Sequence, residues 1–356
     1  MTRIVFASCM SALASTTQKV WSEATAHKPD WLFLCGDNIY MDYFPHLNQS
    51  RAWSLQKFAQ EMEARYAKQF TVTSFRNLVS SIPAGQVVGT WDDHDFAWNN
   101  CFGADPAYGM EAKKLVATAL FHHYFAELNK RPLAAALPPL VMPDINNPPN
   151  GSLDTYRAFD LVHDSGTIRV LVCDGRTYRG KHPPGTMSGE LLGATQEAWL
   201  FRELKQGTNP YLLVTGSTMT AGDDQSWDYY QDFFKNRFLP AVNNKLVMFM
   251  AGDVHENRLP PRVAGNPIEI VSSAAVLDFP LNKRNFGVLD IQGGEVRIFL
   301  YKRGAVQYTG VVSLGSGKFK TSMAALAKEA PITTNPKLAT SQRAAALRKL
   351  KSKPKK

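Results

Sequence analysis

The sequence predicts an α/β protein with strands that are buried on both faces. Short runs of Val, Leu, Ile and aromatic residues recur along the chain, and each run ends in a polar or acidic residue. Longer periodic stretches typical of helices lie between the runs, and strands that alternate with helices indicate an α/β architecture. The six runs cover residues 3–9, 31–37, 86–93, 168–174, 211–217 and 246–253.

The stretches between these runs supply the predicted helices. Residues 53–69 and 110–128 are long and periodic, and residues 193–205 (GATQEAWLFRELK) place two leucines on one face, with Thr195 as the expected N-cap. The last third of the chain differs, because strand-like segments follow one another across Gly-rich turns. We expect an antiparallel set there. Its segments begin at residues 268, 285, 295 and 306.

Composition and charge separate a nearly neutral body from a basic tail. The 356 residues are 44 % hydrophobic and 20 % charged, which is typical of a globular protein, and the formal net charge is +9. Residues 337–356 hold eight Lys or Arg and no acid, so the remainder carries 9 − 8 = +1. We expect a folded domain over residues 1–320 and a disordered tail over residues 321–356. That tail is either solvated or a tether to RNA, DNA or an anionic membrane.

The sequence contains no transmembrane segment. No apolar run approaches the roughly 20 residues that a membrane helix needs. The first fifteen residues resemble a leader only weakly, since their apolar stretch is short and Ser8 interrupts it. We therefore expect a cytoplasmic protein. The four cysteines have no CxxC spacing, so we expect no disulfide framework.

Polar residues follow nearly every predicted strand. In open α/β sheets, ligands bind beyond the carboxyl ends of the strands. Acidic residues crowd there in three motifs, and clustered carboxylates become favourable when cations lie between them. The sequence therefore predicts a metal site at this edge. The motifs are CGDNIYMD (35–42), TWDDHDFAWNN (90–100) and AGDVHENR (251–258).

The first and third motifs supply candidate ligands of different kinds. Asp37 is placed to bridge two metals, and Tyr40 reaches the same ion if a helical turn begins there; the alternative is that Asp37 caps a helix. Asp253 and His255 fall on one side if that segment is extended. Cys9, at the end of the first run, is either a thiolate ligand or an inert buried thiol.

The remaining candidates would bind a second metal or the substrate. Asp93 or Asn99 offers an oxygen ligand, and His94 is placed to donate a proton to a substrate oxygen; the alternative is a polar turn. Arg176, in VCDGRTYRG, has a guanidinium that matches phosphate geometry. The alternative for Arg176 is an ordinary surface pair with Asp174.

Six motifs together resemble those of the alkaline phosphatase D (PhoD-like) metallophosphoesterases over roughly residues 3–300. They are, in order, FASC, CGDNIYMD, TWDDHDFAWNN, VCDGRTYR, LGATQEAWL and AGDVHENR. The resemblance implies a four-layer α/β/β/α sandwich of two mixed sheets, as the catalytic domain alone. It also implies hydrolysis of phosphodiesters or phosphomonoesters, with a metal-activated hydroxide attacking phosphorus in line.

The resemblance also implies a ligand set and a phosphate-binding residue. Iron(III) would be held by Cys9, Asp37, Tyr40 and His255. Calcium would be held by Asp37, Asp253 and an oxygen from Asp93 or Asn99, with Asn100 also open. Arg176 would hold the phosphate. The alternative metals are manganese, zinc and cobalt.

The chain departs from the family at one point, and two rival interpretations stay open. Relatives commonly show Leu-Asp-Thr-Arg where residues 173–176 read CDGR, so we expect Gly175 to loosen the hold on Arg176. One rival is a calcineurin-like or purple-acid-type phosphatase, although residues 8–10 (SCM) replace its D-x-H motif. The other is a degenerate phosphoesterase fold that acts as a nucleic-acid-binding or scaffold protein through the basic tail.

Overall fold

The computed structural model describes residues 1–43, 49–105, 110–140, 155–180, 189–206, 210–220, 225–276 and 284–323. The chain divides into two units, Met1–Ala324 and Ala325–Lys356, and the second lies outside the described residues. The predicted tail therefore falls almost wholly outside them.

The described residues form thirteen strands, and each of the six predicted apolar runs contains one of them. The strands are β1 (Thr2–Ala7), β2 (Trp31–Cys35), β3 (Val87–Thr90), β4 (Arg157–His163), β5 (Gly166–Val172), β6 (Tyr211–Val214), β7 (Val247–Ala251), β8 (Asn257–Arg258), β9 (Ile268–Ser272), β10 (Asn285–Gln292), β11 (Glu295–Lys302), β12 (Ala305–Ser313) and β13 (Phe319–Met323).

These strands build two mixed sheets. The seven-stranded sheet has the order β13-β12-β11-β10-β1-β2-β3, and the six-stranded sheet has the order β4-β5-β6-β7-β9-β8. Strands β1 to β3 are parallel, as are β5, β6, β7 and β9, whereas β10 to β13 are antiparallel. Strands β10, β11 and β12 are three of the four segments that were predicted to be antiparallel, and β13 was not predicted. The prediction was wrong for β9, which pairs in parallel with β7.

The helices confirm three predicted stretches and correct one cap. They are α1 (Lys19–Thr25), α2 (Leu55–Phe70), α3 (Thr73–Ser81), α4 (Asp93–Phe96), α5 (Met110–Leu128), α6 (Gly193–Gln206) and α7 (Leu239–Val242). Because α6 begins at Gly193, Thr195 lies inside the helix and is not its N-cap. None of the described helices is long and apolar enough to cross a membrane.

Three apolar cores hold four layers together. The central core lies between the sheets, where Phe6 and Phe33 meet Val170 and Leu212. A second core joins α1, α2, α3 and α5 to the outer face of the seven-stranded sheet. A third joins α6, α7 and the π-helical segment Asp232–Phe238 to the outer face of the six-stranded sheet. The fold is the predicted α/β/β/α sandwich.

The carboxyl ends of the parallel strands meet at one edge of the sandwich. The backbones approach so closely there that two of the strand ends require glycine. A Cβ atom on Gly216, which follows β6, would lie 2.5 Å from the carbonyl oxygen of Trp91. A Cβ atom on Gly252, which follows β7, would lie 2.3 Å from the carbonyl oxygen of Cys35. This edge is where the polar motifs were predicted to gather.

Candidate active site

Four predicted iron ligands converge at the strand ends. Tyr40 donates a hydrogen bond from its hydroxyl to Asp37 Oδ2 at 2.8 Å, and the same hydroxyl lies 3.2 Å from His255 Nε2. Cys9 Sγ lies 3.5 Å from Asp37 Oδ2. The ligand atoms of Cys9, Asp37 and His255 all lie within 4.8 Å of one another. The structure therefore places a thiol, a phenol, a carboxylate and an imidazole around one point.

The backbone adopts a left-handed conformation at four of the predicted ligands. The φ angle is 59° at Cys9, 51° at Asp37, 74° at Asp253 and 53° at His255. Such angles are uncommon outside glycine, cost about 1–3 kcal/mol each, and cluster at functional sites. The expectation of an extended segment at Asp253 and His255 was therefore wrong. The helical turn expected at Tyr40 is also absent. The chain bends there instead, and the Tyr40 hydroxyl still reaches Asp37.

Asp37 also belongs to a second group of potential ligands. One ligand atom each from Asp37, Asp93 and His94 lies within 4.8 Å of the others. Asp93 and His94 sit on the single turn of α4, directly after β3. Asp93 Oδ2 accepts a hydrogen bond from the Asn100 backbone N–H, whereas Asp93 Oδ1 is buried without a hydrogen-bond partner. An orphan carboxylate oxygen at this position fits a cation.

The two asparagines proposed as alternatives to Asp93 lie at the rim. Asn99 is half-buried, and its backbone N–H donates to Asp42 Oδ2 at 2.9 Å. Asn100 is exposed, with a φ angle of 57°. Asp93 is the buried member of the three and the one within reach of Asp37.

The sequence analysis missed Asp42, which holds His94 in place. Asp42 Oδ1 lies 2.7 Å from His94 Nδ1, and the imidazole stacks on the Tyr40 ring at 4.0 Å. Burial alone would lower the pKa of His94, but the charges of Asp93, Asp37 and Asp42 outweigh it and raise that pKa to about 10. The three carboxylates therefore favour the imidazolium form of His94, whose Nδ1 is held by Asp42.

Arg176 is fully buried and bound on every guanidinium nitrogen. Its Nε donates to Asp92 Oδ1 at 2.6 Å, its Nη1 to Cys101 O and Gln225 Oε1, and its Nη2 to Ser217 Oγ at 3.4 Å. The same Nη2 lies 3.8 Å from Asp93 Oδ1. The Arg176 guanidinium therefore lies beside the second group of potential ligands.

Asp174 is not the ion-pair partner of Arg176. It accepts hydrogen bonds from the backbone N–H groups of Arg176 and Thr177 and from Trp91 Nε1. Asp174 therefore shapes the turn after β5 and joins it to β3, while Asp92, which the sequence analysis did not assign, neutralises the guanidinium.

The acidic groups around Asp37 are electrostatically suited to a cation. Burial, followed by the nearby Asp37, raises the pKa of both Cys9 and Tyr40 well above its usual value. Burial, followed by Asp93, does the same to the pKa of Asp37. A bound cation would favour the ionised forms of all three. The donor set therefore fits a metal chemically as well as geometrically.

Two packed mixed sheets with helices on their outer faces, and with this cluster at the carboxyl ends of the strands, form a fold of the metallophosphoesterase type. The family model described as PhoD-like phosphatase matches residues 4–260, and the chain belongs to this family. Comparison with curated proteins gives no match.

Several solved structures are similar at low identity. GAP50, the anchor in the inner membrane complex of Plasmodium, is 10 % identical with a TM-score of 0.45, over 97 % of this chain and 94 % of that one. The protein TT1561 of Thermus thermophilus is 10 % identical with a TM-score of 0.36, over 90 % and 98 %. A predicted phosphoesterase from Streptococcus pneumoniae is 9 % identical with a TM-score of 0.27, over 91 % and 98 %.

Proposed function

We propose that this protein is a metal-dependent phosphoesterase that hydrolyses phosphodiesters, phosphomonoesters or both. One observation carries the proposal: Asp37 belongs to two adjacent groups of potential ligands at the carboxyl ends of the strands. A carboxylate shared in this way suits a site with more than one cation. Membership of the PhoD-like phosphatase family supports the same reaction class.

The residues differ in the metals that they suit. Cys9, His255 and Tyr40 offer a thiolate sulfur, an imidazole nitrogen and a hard phenolate oxygen, a mixed set that would suit iron(III) together with one oxygen of Asp37. Asp93 and Asp253 offer hard oxygens that fit calcium. When bound, the metals would neutralise charge on the phosphoryl group and lower the pKa of water.

The protein side chains supply positioning and proton transfer. Asp92 holds the Arg176 guanidinium, and Nη2 of that group lies 3.8 Å from Asp93 Oδ1. This arrangement supports the proposal that Arg176 contacts a phosphoryl oxygen beside Asp93. Asp42 fixes the His94 ring, which leaves Nε2 to protonate the departing oxygen. Burial of both side chains excludes water and strengthens their electrostatic effects.

Metal content and turnover, measured together on one substitution, test this proposal. The protein is purified without chelators or a histidine tag, and its metals are quantified by elemental mass spectrometry. We expect iron with calcium in simple ratio to protein. Asp37→Asn keeps the shape of the side chain but removes its charge. Metal content should fall, and kcat/KM for p-nitrophenyl phosphate and its bis ester should fall by more than about a hundredfold.

Asp290→Asn is the matched control, because Asp290 is a partly buried carboxylate that pairs with Arg3 on β1. It should leave both metals and turnover unchanged. Zinc or manganese in place of iron would be compatible with a hydrolase but would contradict the proposed roles of Cys9 and Tyr40 as iron ligands. An Asp37→Asn protein with full turnover, or a wild-type protein that takes up no metal on reconstitution, would refute the assignment.

A further inference from the structure

The segment that follows β2, residues 37–43, carries three residues of the candidate site on irregular backbone. Asp37 and Tyr40 are two of the predicted iron ligands, and Asp42 holds the His94 ring at 2.7 Å. The chain forms only bends between them. Because neither a helix nor a strand fixes this backbone, the positions of the three side chains depend on contacts from other parts of the chain.

One peptide unit in the middle of this segment is held from two sides. Arg65, on α2, donates a hydrogen bond from Nε to Tyr40 O at 2.7 Å, and it is the one donor to that carbonyl among the described residues. The N–H of the same peptide unit, which belongs to Met41, donates to His94 O on α4 at 3.2 Å. Since a peptide unit is planar, these two contacts set its orientation between α2 and α4.

Arg65 is itself held in place by its own helix and by an aromatic ring. Its Nη1 donates to Glu61 O at 3.1 Å and pairs with the Glu61 carboxylate one turn earlier on α2. The guanidinium also lies over the Trp53 ring at 5.3 Å. A helical ion pair of this kind contributes little by itself. What distinguishes Arg65 is that its planar, pre-organised fork turns Nε to the Tyr40 carbonyl.

We propose that Arg65 is a positioning residue, which holds the peptide unit after Tyr40 and thereby places the Tyr40 phenol and the Asp42 carboxylate in the site. The inference rests on the proposed function, because these two side chains matter there as a metal ligand and as the partner of His94. A hydrogen bond from a charged donor shifts an equilibrium by roughly ten- to hundredfold. Without it the segment should open locally more often, while the apolar packing of Met41 keeps the fold intact.

Amide hydrogen exchange tests this contact in the full chain as purified. Arg65→Met removes the guanidinium but keeps an unbranched stem beside Trp53. Exchange in peptides that span residues 37–43 should become at least roughly tenfold faster, with little change elsewhere. Arg262→Met is the matched control, because Arg262 also donates to backbone carbonyls but at the amino ends of β7 and β9. It should leave exchange in residues 37–43 unchanged.

The rate at which EDTA removes bound metal gives a second readout. Elemental mass spectrometry of the protein after timed exposure should show loss that is roughly tenfold faster in Arg65→Met and unchanged in Arg262→Met. Arg65→Lys offers one nitrogen in place of the fork, so it should fall between the wild type and Arg65→Met on both readouts. This variant also keeps the inference testable if Arg65→Met does not fold.

Three results would overturn the inference. The first is unchanged exchange in residues 37–43 of Arg65→Met, and the second is faster exchange there without faster loss of metal. The third is faster exchange over the whole domain with a lower melting temperature, which would show a general structural role. A wild-type protein without bound metal would instead overturn the proposed function, and exchange in residues 37–43 would still decide whether Arg65 orders the segment.

Discussion

At the scale of single residues, the candidate site combines possible ligands at strand ends with side chains that hold their neighbours from distant parts of the chain. Cys9, Asp37 and Asp93 follow buried strands, and local order along the chain is enough to identify such positions. Asp42 and Asp92 depend on contacts with residues 52 and 84 positions away. No local pattern reports a contact of that separation, so the partners of His94 and Arg176 became visible only in the fold.

The pairing of Asp42 with His94 predicts how the rate depends on the leaving group. Asp42→Asn preserves the shape of the side chain but removes the charge that favours the imidazolium form. If His94 protonates the departing oxygen, kcat should fall by roughly a hundredfold for phenyl phosphate. The fall should be much smaller for p-nitrophenyl phosphate, because nitrophenolate leaves without a proton. Steady-state kinetics on the two esters, at equal metal content, measures the difference. Equal losses on both would place Asp42 in a purely structural role.

At the scale of secondary-structure elements, burial decides which strands the sequence reveals. The six apolar runs are buried on both faces and were predicted. Strand β4 was missed, because exposed and half-buried positions dominate its residues, and Val162 is 73 % exposed. The wrong orientation predicted for β9 has a related cause. A buried strand looks the same whether its neighbour runs parallel or antiparallel, and only the path of the chain from β7 fixes the direction.

Two glycines that follow neighbouring strands, Gly216 after β6 and Gly175 after β5, differ in the space around them, and we expect alanine to have opposite effects on stability at the two positions. A Cβ atom on Gly216 would lie 2.5 Å from Trp91 O and 2.7 Å from Asp92 Cβ, so Gly216→Ala should destabilise the protein by about 1–3 kcal/mol. A Cβ atom on Gly175 would meet neighbours no closer than 3.5 Å. Gly175→Ala should therefore stabilise by about 0.4–1 kcal/mol. Urea unfolding of both variants checks the pair, and two changes of the same sign would contradict it.

At the scale of the whole molecule, charge is divided unequally between the body and the tail. The body carries a net charge of +1 by sequence, and residues 337–356 carry +8. The candidate active site lies wholly in the body, within the region that the family model matches. Any long-range attraction for polyanions should therefore be separable from hydrolysis.

Removal of residues 337–356 tests this separation. Strand β13 ends at Met323, so the truncation leaves every described strand intact, and melting temperature and kcat/KM should not change. Binding of the full chain to a single-stranded oligonucleotide should weaken with salt, with a logarithmic slope of up to about 6 if all eight cations contact phosphate. Fluorescence anisotropy at several salt concentrations measures that slope, and truncation should abolish the binding. Binding that survives truncation would instead place the polyanion contact on the folded body.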